Sequence, residues 1–391
     1  MKFIEKLAEE KVQNYINAHL DKDIHKLSLS KNPFEILDFK AIVNQIVAKN
    51  KAKEKLPTWF NCSGIIYPEK ISIEQTSSEL TAQYKSDLIS GKSLVDLTGG
   101  FGVDDYYFSK KFDDVYHCEL NPILSEIVKK NWKTLQIKNI RSFCGDSIDF
   151  LKNSTIQFDW IYIDPSRRNN TKGKVFMLKD CLPNVPEQLD TYFDFSKSIM
   201  IKTAPILDIQ AGLKELNHVK EIHCVAVQNE MKELLWILEK NYNQTPKIIA
   251  CNISNQGVQT FNFLESDSVL MPLSEPKKYL YEPNTAVMKS GGMDILAVKN
   301  NLEKLHFHSH LYTSNDKIDF LGRRFLVLKV EEFSKKAMKE LQNTNYNITF
   351  RNFPDTVENI RKKWKIREGG KNYLFFTTTS LGKQIIFCEK C

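Results

Sequence analysis

Residues 96–104, Asp-Leu-Thr-Gly-Gly-Phe-Gly-Val-Asp, directly follow a short strand-like apolar run. A strand that ends at an acid and turns through glycines into a helix brings backbone N–H groups close to a ligand, because glycine tolerates positive φ and has no Cβ. That geometry suits a nucleotide-like cofactor. Since glycines also mark ordinary turns, the chemistry of this loop depends on the residues that follow it.

Three more acids stand where later strand-like runs end. They are Glu119, Asp146 and Asp164. This order is expected of a nucleoside cofactor laid over the carboxyl ends of a parallel sheet, where Glu119 would accept hydrogen bonds from a ribose diol and Asp146 from an adenine amine. Each acid alone could instead cap a helix or close a turn, so their joint order carries the interpretation.

The acids also favour one cofactor over another. In a nicotinamide-binding loop the third glycine would fall at Asp105, where a carboxylate would face the pyrophosphate. S-adenosylmethionine has no phosphate but carries a sulfonium and an ammonium group, which Asp96 and Asp104 would suit. The predicted cofactor-binding residues are Asp96, Thr98, Gly99, Gly100, Gly102, Asp104, Glu119, Leu120, Asp146 and Ser147, with Gln75 and Thr76 added from a polar segment upstream.

Apolar runs alternate with helical segments over residues 93–254. Alternation of this kind predicts right-handed βαβ units and a mostly parallel sheet covered on both faces. The strand-like runs are 93–98, 114–119, 140–144, 158–164, 198–203, 219–228 and 247–253.

The first 56 residues show apolar stripes at helical spacing, which predict helices. The basic run 49–55 ends at Leu56-Pro57 and is interpreted as a solvated helix end in preference to a nucleic-acid contact. Ser77 or Thr76, followed by Glu79, predicts the cap of a helix that ends near residue 90.

The last 110 residues or so indicate a small basic α+β module that follows a proline-containing connection at 267–283. Strands are predicted at 325–330 and 373–378, and helices at 334–341 and 357–363. Positive charge mixed with aromatic rings suits phosphate neutralisation plus base stacking, although solvated helix faces carry the same charges. The residues concerned are Arg323, Arg324, Lys329, Lys335, Lys336, Lys339, Arg351, Arg361, Lys362, Lys363, Lys365, Arg367 and Lys371, with Phe333, Tyr346, Phe350, Phe353, Trp364 and Tyr373.

Two further clusters have the spacing of metal ligands. The alternate histidines His306, His308 and His310 would share one face of a strand and could hold a metal, but a half-exposed strand without one is favoured because no nearby carboxylate or cysteine completes the set. Cys388 and Cys391 have ligand spacing without a second pair. We therefore predict no metal.

Composition sets broad limits on function. The 391 residues include 55 Lys plus Arg and 48 Asp plus Glu, a net charge of +7 that would help binding to a polyanion without demanding one. The chain has no apolar run long enough for a membrane span and no secretory signal at Met1, so we expect a cytoplasmic protein.

The Gly-rich loop and the Asp164 turn resemble motifs of class I S-adenosylmethionine-dependent methyltransferases over residues 93–254. Asp96–Gly102 resembles the first motif, with Thr98 where a glycine is usual. Residues 164–168, Asp-Pro-Ser-Arg-Arg, resemble the Asp/Asn-Pro-Pro-aromatic motif of enzymes that methylate exocyclic amines of bases and the Asp-Pro-Pro-Arg of some RNA methyltransferases. The resemblance implies a Rossmann-like seven-stranded α/β sheet that binds S-adenosylmethionine.

The chain also resembles a bacterial group of methyltransferases that carry a C-terminal THUMP-like domain. The segments that carry this resemblance are 164–168, 201–205, 233–236 and 281–288. This resemblance covers most of the chain. It implies a helical region at 1–90, a methyltransferase domain at 91–275 and an α+β THUMP-like domain at 276–391 that holds a structured RNA, either tRNA or rRNA.

In this interpretation Asp164 orients the substrate amine within the turn that it forms with Pro165 and Ser166. Arg167 and Arg168 contact a phosphate or base, and Lys202 is a second polar group, although a strand-end lysine is an equally good interpretation of it. Two alternatives stay open. One is a non-catalytic RNA-binding protein with a methyltransferase-like domain, and the other is a small-molecule or protein methyltransferase.

Overall fold

The computed structural model describes residues 2–34, 37–167 and 177–391. It divides into two compact units, which we treat separately. The first contains residues 1–220 and 234–243, and the second contains residues 221–233 and 244–391. Among the described residues, no helix is both long and apolar enough to cross a membrane.

Within the described residues, seven helices begin the first unit, and the four that lie before Leu56 agree with the helices that the apolar stripes predict. Their buried faces join one hydrophobic cluster that includes Val12, Ile16, Ile46 and Trp59. The helices are α1 Lys2–Leu7, α2 Glu10–Ala18, α3 Ile24–Ser28, α4 Phe39–Lys55, α5 Pro57–Asn61, α6 Lys70–Gln75 and α7 Glu79–Leu88.

The basic end of α4 is partly engaged inside the unit. Lys49 Nζ donates to Asn17 Oδ1 at 2.8 Å, and Lys55 Nζ donates to the carbonyls of Ile73 and Glu74 at 3.0 and 2.8 Å. Lys55 therefore stabilises the last turn of α6, whose terminal carbonyls lack helical partners.

The predicted cap of α7 is off by one residue. Ser78, and neither Ser77 nor Thr76, is the N-cap, and its Oγ accepts from the Thr81 N–H at 3.2 Å. Glu79 does not complete a capping box. Its carboxylate accepts from the N–H and hydroxyl of Thr58 and from the hydroxyl of Tyr107, at 2.6 to 2.7 Å, so it joins α7 to two neighbouring helices.

A mostly parallel sheet forms the rest of the first unit, in the order β9-β7-β4-β1-β2-β3, with only β9 antiparallel to its neighbour β7. The elements between residues 91 and 239 are β1 Gly91–Asp96, α8 Val103–Phe108, β2 Phe112–Glu119, α9 Pro122–Thr134, β3 Ile140–Cys144, α10 Ser147–Lys152, β4 Trp160–Ile163, β5 Ser166–Arg167, β6 Cys181–Leu182, α11 Val185–Phe195, β7 Ser198–Thr203, α12 Ile209–Glu215, β8 Val219–Val227 and β9 Glu230–Glu239. Most of β8 and the first four residues of β9 belong to the second unit.

In the second unit β8 pairs in parallel with β10, and β11 is antiparallel to β10. A second sheet has the order β13-β14-β12-β15-β18-β17-β16, in which only β16 and β17 are parallel. The elements are β10 Lys247–Ser254, β11 Gly257–Leu264, β12 Tyr279–Pro283, α13 Thr285–Ser290, α14 Met293–Lys299, β13 Glu303–Lys304, β14 Tyr312–Ser314, β15 Gly322–Glu332, α15 Lys335–Glu340, β16 Asn347–Arg351, α16 Val357–Trp364, β17 Asn372–Thr379 and β18 Gly382–Lys390.

The aromatic side chains of the basic module are core residues. Phe333, Phe350 and Phe353 pack with Phe376, with ring centroids 5.0 to 6.1 Å apart, and Tyr346 and Trp364 lie against the same cluster. These rings are partly buried, and the faces that pack into this small α+β core are not free for base stacking.

Candidate functional site

The Gly-rich loop is attached to the strands on both sides of β1. The Leu97 N–H donates to the Tyr162 carbonyl at 3.0 Å, and the Gly99 N–H donates to the Cys118 carbonyl at 2.9 Å. Gly100 and Gly102 have φ of +56° and +72°, and Gly102 is the N-cap of α8. A Cβ at Gly102 would come within 3.0 Å of Trp132 and Val128, so glycine is required there by conformation and by space.

Thr98 uses its side chain to join two strand ends. Its N–H and hydroxyl donate to Asp96 Oδ1 at 2.7 and 3.1 Å, and its Oγ1 accepts from the Asp164 N–H at 2.7 Å. The residue that departs from the usual glycine of the resembled motif therefore connects the Gly-rich loop to Asp164.

Glu119 closes the loop from the end of β2. One carboxylate oxygen accepts from the Gly100 N–H at 3.0 Å and the other from the Asn121 N–H at 2.6 Å. A carboxylate oxygen has two acceptor sites, so each retains capacity for a ligand hydroxyl. Leu120, the next residue, is 72% exposed.

Asp146 is the N-cap of α10, with Oδ1 accepting from the Ile148 and Asp149 N–H groups at 2.8 and 3.3 Å. Its side chain is exposed, and Ser147 follows as the first residue of that helix. In the upstream segment Gln75 is exposed and Thr76 is half-buried.

Asp104 lies in a buried polar network. Ser77 Oγ and Tyr162 OH each donate to its Oδ2 at 2.8 Å, and Lys85 Nζ is 3.2 Å from its Oδ1. Burial opposes ionisation, but Lys85, Lys202 and these hydroxyls hold the pKa of Asp104 below its usual value. The sequence interpretation did not name Lys85 or Ser77 as site residues, although the dense polar segment around them was the available signal.

Asp164 and Lys202 form an ion pair at the carboxyl ends of β4 and β7. Lys202 Nζ donates to Asp164 Oδ2, and the side chains are 11% and 34% exposed for Lys202 and Asp164 respectively. Of the predicted residues in this turn, Pro165 is buried and Ser166 is exposed in β5, where it pairs with Leu182 of β6. Arg167 contributes its backbone to β5, while its side chain and all of Arg168 lie outside the described residues.

A buried acid–imidazole pair that the sequence interpretation missed lies beneath the loop. Asp105 Oδ2 and His117 Nδ1 are 2.5 Å apart, and both side chains are fully buried. Burial raises the pKa of Asp105, as does the charge of Asp104, and burial lowers the pKa of His117 to about 4. Both shifts favour the neutral forms of the two groups, in which the Asp105 hydroxyl donates to the imidazole nitrogen.

The thirteen basic residues that the sequence singled out in the C-terminal module fall into two groups. Arg323 and Arg351 pair with Glu282, Arg324 pairs with Asp319, Lys329 pairs with Glu331, and Arg361 donates to backbone carbonyls. Within the described part of the chain the others are exposed and have no recorded ion pair; they are Lys335, Lys336, Lys339, Lys362, Lys363, Lys365, Arg367 and Lys371.

The histidine cluster is a turn, so the expectation of a half-exposed strand is wrong there. His310 has φ of +49°, and His306 Nδ1 is 2.9 Å from Asn352 Nδ2 and 3.2 Å from the His308 N–H. Across the described residues no group of three or more His, Cys, Asp or Glu side chains is arranged to hold a metal.

Comparison with known proteins shows which family this chain belongs to. Residues 279–320 match a ferredoxin-like domain and residues 322–390 match a THUMP domain-like family. A candidate methyltransferase of Porphyromonas gingivalis W83 is 31% identical over 97% of this chain and 98% of its own, with a TM-score of 0.88. The chain belongs to the class I methyltransferase family with a C-terminal THUMP-like domain.

This methyltransferase-family chain therefore has the Rossmann-like α/β fold class that the motifs indicated. The TrmK structure of M. capricolum with S-adenosyl-homocysteine is 15% identical over 42% of this chain and 70% of its own, with a TM-score of 0.34. Trm5b of Pyrococcus abyssi is 15% identical over 42% of this chain and 49% of its own, with a TM-score of 0.30. The search of curated proteins found no match.

Proposed function

We propose that this protein transfers a methyl group from S-adenosylmethionine to an exocyclic amine on a base of a structured RNA. The observation that supports this most directly is the side-chain bridge of Thr98, which joins Asp96 at the Gly-rich loop to Asp164 at the following turn. A loop that binds the cofactor and an acid that binds the substrate would thus be held at one spacing, as methyl transfer by in-line approach requires.

The loop fits a nucleoside cofactor. A Cβ built at Gly100 would meet no atom closer than Thr98 O at 3.7 Å, so a ligand can approach the backbone closely there. Glu119 would accept hydrogen bonds from ribose hydroxyls, Asp146 would face the adenine amine, and Leu120 would contact its ring. Bound S-adenosylmethionine supplies an electrophilic methyl group on a sulfonium.

Asp164 would accept a hydrogen bond from the target amine and so aim the nitrogen lone pair along the line of transfer. Lys202 keeps the carboxylate in place by donating to Oδ2. The carboxylate would also accept the proton that the amine loses once the methyl group has moved from the sulfonium to the nitrogen. We assign Arg167 and Arg168 to substrate phosphate or base.

RNA as the substrate class is supported by the THUMP domain-like match and by the eight exposed basic residues named above, for which the described part of the chain shows no ion pair. Most lie on or next to α15 and α16, where they can neutralise phosphates without first breaking an ion pair. We propose tRNA or rRNA as the RNA, and residues 1–90, 91–275 and 276–391 as the functional domains.

The test combines calorimetry with a transfer assay. S-adenosylmethionine should bind, and tritium from its methyl group should enter total bacterial RNA with the wild-type protein but not with Asp164→Ala, whose affinity for cofactor and RNA should be unchanged. Transfer that survives in Asp164→Ala would contradict the role of Asp164. RNA binding without cofactor binding would indicate the non-catalytic alternative, and transfer only to protein or small molecules would indicate the other.

A further inference from the structure

The loop that is proposed to bind the cofactor rests on the ring of His117. Gly99 stands directly over this ring, because a Cβ added at Gly99 would overlap Cε1 and Nδ1 of His117. The same glycine donates its N–H to the carbonyl of Cys118, the next residue of β2. The distance between loop and strand is therefore set by one backbone hydrogen bond and one side-chain contact, and both involve adjacent residues of β2.

The orientation of the ring is set by its other neighbours. Asp105 on α8 holds Nδ1 at 2.5 Å, and Trp132 on α9 meets the ring edge-on, with centroids 4.8 Å apart and planes at 89°. Trp132 also leaves no room for a Cβ at position 102, at the far end of the loop, where the residue is Gly102. The two glycines that bound the loop thus contact one packed unit, Asp105–His117–Trp132.

Burying polar atoms in this pair reduces the stability of the fold, so the pair calls for an explanation. His117 Nε2 is buried with no hydrogen-bond partner among the described residues, and an apolar side chain of the same size would avoid that cost. Neither side chain reaches the surface, so neither can touch a substrate or cofactor. What the pair offers is a rigid, oriented ring beneath Gly99.

We propose that Asp105 and His117 are positioning residues for the cofactor, which act by holding the loop 98–102 in its binding conformation. The inference rests on the proposed binding of S-adenosylmethionine. The hydrogen bond prevents the ring from rotating, the ring supports Gly99, and Gly99 sets the position of the Gly100 N–H that meets Glu119.

The test compares two buried histidines. His117→Ala should raise the Kd for S-adenosylmethionine about tenfold or more, and the KM for the cofactor with it, while the Kd for RNA stays at the wild-type value. His223→Ala is the matched control, since His223 is also buried but lies in β8 of the other unit and should leave both constants unchanged. Equal cofactor affinity in the two folded variants would overturn the inference.

Conservative variants keep the test decisive if His117→Ala fails to fold. Asp105→Asn retains a donor to Nδ1 and should bind cofactor within a few-fold of wild type, whereas Asp105→Ala should resemble His117→Ala. Gly99→Ala should bind the cofactor more weakly than wild type, because the new Cβ overlaps the ring of His117. The double variant Gly99→Ala, His117→Ala removes that overlap and should recover part of the affinity that Gly99→Ala loses. Equal affinity in Asp105→Asn and Asp105→Ala would also overturn the inference, whereas absent binding in the wild type would instead refute the proposed function.

Discussion

At the scale of single residues, the Asp164–Lys202 pair has the clearest consequence for activity. Lys202 is mostly buried and its ammonium contacts the carboxylate that is proposed to orient the substrate. The sequence left Lys202 undecided between a surface lysine and a site residue, because a strand-end lysine looks the same in either role. Only the neighbouring strand β4, which supplies Asp164, distinguishes them.

Lys202→Met should therefore reduce kcat by a much larger factor than it changes the Kd for the cofactor. A misplaced carboxylate can cost about 100-fold in rate. The measurement is single-turnover methyl transfer, with Lys240→Met, a lysine at the other end of the sheet, as the control. An unchanged rate in Lys202→Met would mean that the ion pair is only structural.

The buried His117 leads to a separate prediction about how the stability of the fold depends on pH. Its folded pKa of about 4 lies below the ordinary value of 6.5, so the unfolded chain takes up a proton at this residue between pH 6.5 and 4 and the folded chain does not. Acidification through that window should favour unfolding by about 3 kcal/mol at most through this group. Asp96 and Asp105, whose pKa values burial raises, act in the opposite direction in the same window.

The contribution of His117 is isolated by comparing wild type with His117→Gln. Urea unfolding at a series of pH values should show the stability of wild type falling relative to the variant as the pH drops from 6.5 to 4. Parallel pH profiles for the two proteins would contradict a neutral, buried His117.

At the scale of elements, α7 and α8 are joined by the buried contact of Lys85 with Asp104. Lys85→Met would leave the Asp104 carboxylate buried without its cation, and breaking a buried pair in this way typically costs about 3–5 kcal/mol. Urea unfolding measures the loss. The double variant Lys85→Met, Asp104→Asn should recover much of it, and equal stability of single and double variants would show that the charge pairing is unimportant.

The sequence identified most elements of the sheet but missed β9 and β11. Residues 234–238 form a short continuous apolar run between Glu233 and Glu239, and periodicity cannot distinguish such a run from a buried helix. β11 follows a tight connection in which Gly257 has φ of +109°, and the hairpin signal there is a single glycine. Local pattern was sufficient where strands alternate with helices and insufficient where strands follow one another.

The residues of the candidate site likewise fall into those that the sequence could predict and those that it could not. Thr98, Gly99, Gly100, Glu119 and Asp164 could be predicted because loop acids and glycines have a recognisable order along the chain. Lys85, Asp105 and His117 could not, because their partners lie 12 to 19 residues away on other elements and nothing local marks them as pairs.

At the scale of the whole molecule, the distribution of charge matters more than the net value of +7. Lys362 and Lys363, exposed on α16, are expected to contact RNA phosphates. Changing both to Glu should weaken RNA binding about tenfold or more and lower the slope of log Kd against log salt by about two. Lys26→Glu with Lys31→Glu, at exposed N-terminal positions, is the charge-matched control, and equal losses in the two double variants would show only a general effect of charge.

The central claim is transfer of a methyl group to an RNA base, and mass spectrometry of nucleosides tests it most directly. RNA from a bacterial strain that lacks the gene should be incubated with the purified protein and S-adenosylmethionine carrying a deuterated methyl group. We predict one deuterium-labelled nucleoside, methylated on an exocyclic amine and absent when Asp164→Ala is used. RNA with no labelled nucleoside, under conditions in which the cofactor binds, would contradict the account.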